Sequence, residues 1–292
     1  MLGICIGIAT EGLIYSIMAF GVYISLKILD FPDLSTDGTF PLGMAVAAAC
    51  LLRGINPYVC ILLAFICGCA AGALTGVLNV RLKFKDILCG IIIMTALYSV
   101  NYTIVGKPNE FLSMDTQTVF SPIHSDSVLF PYRYFIISLI LAIIFKVLLD
   151  LYLSTKSGFL LRAAGSNDNL VVTLAKDPGS AKILGLAIAN GLIATSGCVY
   201  LQYIKSFNVS AGTGSLVTAL AAVIIGTTVF GRIKFIKPTT GVILGMIIYK
   251  ACISAAMLVG LQSKDTNLIV SLLFVVTLVV SNKNKKNVRR ES

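Results

Sequence analysis

The sequence predicts an all-α polytopic membrane protein with about eight to nine transmembrane helices. Two of its helical regions are broken, in an arrangement that reads as an inverted repeat. Three observations lead there. Only 12% of the 292 residues are charged, against roughly 25% in soluble chains, and 57% are apolar. The charge deficit is concentrated in long blocks: no charge falls in 54–80, 87–106, 183–204, 208–231 or 266–282. Each block is about the 20 residues that cross a hydrocarbon core as a helix. The basic residues, finally, collect in alternate short segments, the pattern that fixes orientation in a bilayer.

In chain order, span 1 covers roughly 2–26 and is followed by a polar break, Asp30-Phe-Pro-Asp-Leu-Ser-Thr-Asp-Gly38. A short apolar segment at 40–52 is span 2; spans 3 and 4 follow at 57–80 and 87–105. The segment 106–132 carries Lys107 against Glu110, Asp115 and Asp126 and reads as an external loop. Span 5 covers 134–153, a polar loop runs 154–182, and span 6 covers 183–204. A second break, Ser206-Phe-Asn-Val-Ser-Ala-Gly-Thr-Gly-Ser215, precedes a short span 7 that ends near Phe230; spans 8 and 9 are 239–260 and 267–281. Residues 1–281 thus form one membrane domain, and 282–292 a basic tail.

The net charge of +10 lies in four clusters: Arg81/Lys83/Lys85, Lys156/Arg162/Lys176/Lys182, Arg232/Lys234/Lys237 and Lys283 to Arg290. All four are assigned to the cytoplasm, which leaves the C-terminus inside and, over nine crossings, the N-terminus outside. Such clusters set topology and meet anionic lipid head groups, so they do not argue for nucleic acid. The eight cysteines lie in or beside apolar spans; Cys67-Gly-Cys69 has no His or acidic companion, so the group reads as packing and not as a metal site. The start of the chain has no basic segment or A-x-A-like cleavage site, so span 1 reads as retained.

Each break follows a long helix and leads into a shorter one. Unwound backbone inside a membrane is tolerated where protein or an aqueous cavity satisfies it. Corresponding breaks in two halves mark the substrate path of inverted-repeat transporters. Asp33, Ser35, Thr36 and Asp37 in the first break, with Ser210, Thr213 and Ser215 in the second, are therefore the candidate path residues. Lys250, near the middle of span 8, is a costly intramembrane charge. It reads as a pathway residue, as a structural partner of Glu11 or of an Asp in the first break, or as a side chain that reaches the interface. Asn101 and Asn190 read as interhelical hydrogen-bonding residues. Gly68, Gly72 and Gly76 form a smooth stripe, as do Gly241 and Gly245, suited to packing within the chain or to an interface with a second copy. His124, the only histidine, has no sequence companion that would make it a general base.

The loop 154–182 contains Gly158-Phe159-Leu160-Leu161-Arg162-Ala163-Ala-Gly165-Ser-Asn167, an expected short helix with an outward apolar patch at Phe159, Leu160 and Leu161. This G-x-x-L-R-A-x-G-x-N pattern resembles the coupling segment of permeases in ATP-binding-cassette importers, in the branch that handles branched-chain amino acids and ribose. Tyr15–Tyr23, Asp33 to Gly43, Ser210 to Gly214 and Ala221 to Gly226 agree in order. Gly106-Lys-Pro-Asn109 is similar to a subgroup linked to aromatic amino acids such as tryptophan and tyrosine. The acidic first break departs from the pattern. The resemblance implies an amino-acid importer subunit in a bacterial plasma membrane, paired with a second identical or different permease. It would be fed by an extracellular solute-binding protein and driven by separate ATPase subunits that hold ATP and Mg. The chain has no G-x-x-x-x-G-K-[ST], no H-E-x-x-H and no paired catalytic carboxylates, so no cofactor and no catalytic site are assigned to it. An ion-coupled secondary carrier, also built from inverted repeats, is the competing class.

Overall fold

The computed structural model describes residues 2–122, 130–166, 177–231 and 236–258, with the helical residue Val275. Apart from Val275, span 9 lies outside the described residues, as do the basic tail, His124, Asn167, Arg232 and Lys234.

The described residues are mostly helical: α1 (Leu2–Val22, extended by a π-helical turn Tyr23–Ile28), α2 (Thr36–Leu52), α3 (Pro57–Val80), α4 (Asp86–Val105), α5 (Arg133–Ser154), α6 (Lys156–Ser166), α7 (Pro178–Ile204), α8 (Ser215–Val229) and α9 (Pro238–Leu258). Among the described residues, six helices are long and apolar enough to cross a membrane: α1, α3, α4, α5, α7 and α9. The expected spans 2 and 7 are α2 and α8, apolar but shorter, each starting within the last residues of a polar break.

Helix ends follow local chemistry. Pro57 and Pro178 open α3 and α7, where a missing N–H costs nothing. The side chains of Asn56 and Asp177 accept from the first free N–H groups. Ser180 and the amides of Gly179 and Ser180 hold the exposed Asp177 carboxyl below its ordinary range. Gly106 and Lys205, both left-handed, end α4 and α7. Beyond them β1 (Asn109–Phe111) and β2 (Ser206–Asn208) pair antiparallel with Glu110 opposite Phe207, tying those two helix ends together.

The core is organised around α7, whose most apolar window is 78% buried against 22–56% for the other five long helices. α3 runs antiparallel to it at backbone contact: a Cβ on Gly68, Gly72 or Gly76 would strike the carbonyls of Asn190 and Leu186 and the Cα of Ile183. Gly226, Gly241 and Gly245 bring α8 and α9 together in the same way. Both glycine stripes therefore pack within the chain.

One end of the bundle carries α6 and the α3–α4 turn; the other carries the β-ribbon. Near the α6 end, Asp150 of α5 accepts from Thr239 of α9 (2.7 Å) and pairs with Lys146 and Lys237 (3.1 and 3.4 Å).

Candidate functional site

The first break is folded into the protein around Asn190, twelve residues along α7 and so about 18 Å past its start. Its amide donates to Asp33 Oδ2 (2.7 Å), while the Ser35 and Thr39 hydroxyls donate to its carbonyl (3.1 and 2.8 Å). The Ser35 N–H completes the ring by donating to Asp33 Oδ1 at 2.9 Å. Asp33, Ser35, Thr36, Thr39 and Asn190 are all at most 1% exposed. A carboxylate buried this deeply is tolerated because its oxygens are hydrogen-bonded. Asn101 of α4 supports the same region by donating to the Gly38 carbonyl at 3.0 Å.

The α2 start held at this depth meets the start of α8. Asp37 Oδ1 accepts from the Leu216 N–H (2.8 Å) and the Ser215 hydroxyl (3.0 Å), and Oδ2 from the Gly214 N–H (3.1 Å). One carboxylate in the first turn of α2 thereby caps α8, where a helix N-terminus favours negative charge.

Beside this junction, α1, α8 and α9 border an open, half-polar cavity of about 260 Å³, lined among others by Glu11, Tyr15, Thr213, Ser215, Thr218, Lys250 and Ser254. Lys250 Nζ lies 3.3 Å from Glu11 Oε2 and 3.7 Å from the centre of the Tyr15 ring. Lys250 sits twelve residues, or about 18 Å, into α9, so the pair is at mid-span. Behind Tyr15 stand Phe40 and Tyr200, with ring centres 5.5 and 5.0 Å from it. A cavity with one cation, one anion, several hydroxyls and an aromatic wall can take a small solute that bears both charges.

At the α6 end the expected short helix is present. Gly158, Leu161 and Ala164 face inward and are buried, whereas Phe159 is 60% exposed and Arg162 is also exposed. Leu161 therefore does not belong to the expected outward patch. Its side chain occupies the space beside Gly185 that it shares with Leu29, and a Cβ on Gly165 would collide with the Ile28 carbonyl. The spacing of 158, 161 and 164–165 is that of one helix face, and it seats α6 on the ends of α1 and α7. Phe159, with the half-buried Leu160 and Ala163, is left on the sides turned away from that seat.

Of the path residues expected from sequence, Thr213 and Ser215 line the cavity. Asp33, Ser35 and Thr36 are buried in internal hydrogen bonds, Asp37 joins two helix starts, and Ser210 is exposed. Glu11 and Lys250 are partners. Tyr15, Tyr200, Thr218 and Ser254 escaped the sequence reading as site residues. Tyr15 and Ser254 carried a signal: each stands four residues after a charge, Glu11 or Lys250, and so on the same helix face.

Comparison with known proteins gives a consistent result. Residues 4–281 match the family described as branched-chain amino acid transport system / permease component. The chain is 43% identical over 281 residues to a tyrosine transport system permease protein of Clostridioides difficile, covering 96% of this chain and 92% of that one. It is 29% identical over 272 residues to an uncharacterized protein of Rickettsia prowazekii, covering 92% and 94%. To the ribose import permease of Haemophilus influenzae it is 23% identical, covering 86% and 76%. No solved structure matches the chain. The chain belongs to the permease family of branched-chain amino acid transport systems.

Proposed function

We propose that the chain is the membrane-spanning subunit of an ATP-binding-cassette importer for an aromatic amino acid such as tyrosine. The cargo reading rests on the 43% identity to a tyrosine transport permease and on the Tyr15, Phe40 and Tyr200 wall beside the cavity. The subunit pairs with a second permease in a bacterial plasma membrane and receives its solute from an external binding protein at the β-ribbon end. The α6 end, with its basic residues, is cytoplasmic, as is the C-terminus. Counted with α2, α8 and the stretch 267–281, the chain crosses eight or nine times. The meeting of the α2 and α8 starts through Asp37 supports an inverted repeat of two broken regions.

The observation that carries this reading is the two-sided α6. Its buried face is fixed to the ends of α1 and α7, and its other side presents Phe159 and Arg162. A partner ATPase that binds ATP and Mg grips this exposed side, and closure of the ATPase pair moves α6. Because Gly165 sits against Ile28 and Leu161 against Gly185, that movement passes into α1 and α7, the helices that carry Glu11 and Asn190. The sequence motif Gly158 to Asn167 supplies this coupling element, although Asn167 itself lies outside the described residues.

Co-expression with chromosomal neighbours tests the proposal. An ATPase co-purifies with the wild-type chain, and Phe159→Asp with Arg162→Glu releases it while the permease keeps its elution volume and melting temperature. A chain that purifies alone and moves solute under an ion gradient without ATP overturns the reading. That outcome favours an ion-coupled secondary carrier, for which Asp33 is the relevant group: its hydrogen-bond partners among the described residues are amide and N–H groups and not a cation.

A further inference from the structure

The cavity between α1, α8 and α9 holds a fixed cation and a fixed anion side by side, in a part of the molecule where each alone is expensive. The pair cannot be explained as a helix-end interaction, because both residues are at mid-span and the start of α8 is already satisfied by Asp37. Nor is the pair sealed in. The Glu11 side chain is 39% exposed and Lys250 15%, and both border the open cavity. An ammonium has three donors, of which one contact goes to Glu11 while the group also lies on the Tyr15 ring.

We propose that Lys250 and Glu11 form a receptor for the zwitterion of a free α-amino acid, with Lys250 taking the α-carboxylate and Glu11 the α-ammonium. This rests on the permease reading above and adds a site to it. The charge balance selects the ligand. A zwitterion inserted into the pair exchanges one ionic contact for two and brings no net charge into the membrane interior. A lone acid or a lone amine pairs with one partner and leaves the other charge uncompensated in a poorly hydrated place. A neutral sugar-like solute satisfies neither. The Thr213, Thr218 and Ser254 hydroxyls line the same cavity and can accept or donate to the charged end of the ligand. Tyr15, already stacked with Phe40, forms the wall against which the ligand's side chain rests.

The test uses the permease purified with its ATPase and without the binding protein, so that selectivity belongs to the membrane subunits. Equilibrium binding of radiolabelled L-tyrosine is measured in competition with tyramine, which lacks the carboxylate, and with 3-(4-hydroxyphenyl)propionate, which lacks the ammonium. The expected result is saturable binding, with both competitors at least about tenfold weaker than unlabelled L-tyrosine. Lys250→Gln and Glu11→Gln each weaken L-tyrosine binding at least about tenfold while ATPase co-purification is kept. The charge exchange Glu11→Lys with Lys250→Glu recovers part of the loss, which separates recognition from folding.

Tyramine competing as well as L-tyrosine, folded neutral variants binding as tightly as wild type, or no saturable binding by the wild type would each overturn the proposal. Failure of the permease reading is distinct: there no ATPase co-purifies, whatever the competition series shows.

Discussion

Asp37 and Leu216 are 179 positions apart in sequence, yet the Asp37 carboxylate accepts the Leu216 N–H at 2.8 Å. The same carboxylate takes the Gly214 N–H and the Ser215 hydroxyl. Two helices that follow two separate breaks are thus joined at their first turns by one side chain. Replacing it by Ala removes all three acceptances at once, with an expected cost of about 1–3 kcal/mol, the range for leaving part-buried donors unpaired. Thermal unfolding in detergent should show Asp37→Ala clearly below wild type and Asp37→Asn between them. A variant that melts with wild type would mean the cap contributes nothing.

The Asp33–Asn190 contact gives a sharper test, because both residues are fully buried. Asn190→Leu leaves the buried Asp33 carboxyl without its amide donor and is expected to be destabilising by about 1–3 kcal/mol or more. Removing the carboxylate as well, with Asp33→Leu, should recover part of that loss. The difference between the double variant and the summed singles measures the coupling. Strict additivity would mean the two residues do not act together.

The two sides of α6 should separate stability from assembly. Leu161→Ala empties a site that is 1% exposed and is expected to cost about 2–5 kcal/mol. Phe159→Ala, at 60% exposure, should leave the melting temperature of the isolated chain within a degree or two of wild type. Its effect is expected in the ATPase pull-down instead. Equal destabilisation by both would contradict the orientation of the helix.

Asp177 links stability to pH. Its carboxyl is held below the usual carboxylate range by the Ser180 hydroxyl and the amides of Gly179 and Ser180, so its folded pKa lies under its unfolded one. The contribution is therefore present above the unfolded value, about 3.9, and is lost as pH falls through the lower folded value. Asp177→Ala should lower the melting temperature at neutral pH, with the gap to wild type narrowing in acid. A gap that is independent of pH would assign the effect to packing and not to the charged cap.

The sequence carried the helical membrane architecture clearly, because charge-free blocks and basic clusters are one-dimensional signals. The two breaks were equally legible as interruptions in those blocks. Their uses were not: nothing in 30–38 distinguishes Asp33, which turns inward to Asn190, from Asp37, which turns to α8. The inward placement of Leu161 could have been read from the spacing of Gly158, Leu161 and Gly165, but an apolar Phe-Leu-Leu run suggests a continuous patch instead. Lys250 and Glu11 were each conspicuous as charges within apolar spans. Their approach across 239 positions is a property of helix packing, which no local pattern encodes.

The glycine contacts have a mechanical consequence. Where backbones touch, as between α3 and α7 and again between α8 and α9, helices can neither roll nor slide without collision of main-chain atoms. Each such pair therefore resists internal change, and a change of shape costs less where side chains, and not main chains, meet. α1 is joined in the same way to α7 at Gly21, where a Cβ would strike the Ala189 carbonyl, and to α9 at Gly12, where a Cβ would lie 3.0 Å from the Ile247 Cα, so the cavity with Lys250 and Glu11 sits beside a tight helix contact. A movement that parted the two charges would have to open that contact as well, since Gly12 is next to Glu11 and Ile247 lies three residues before Lys250.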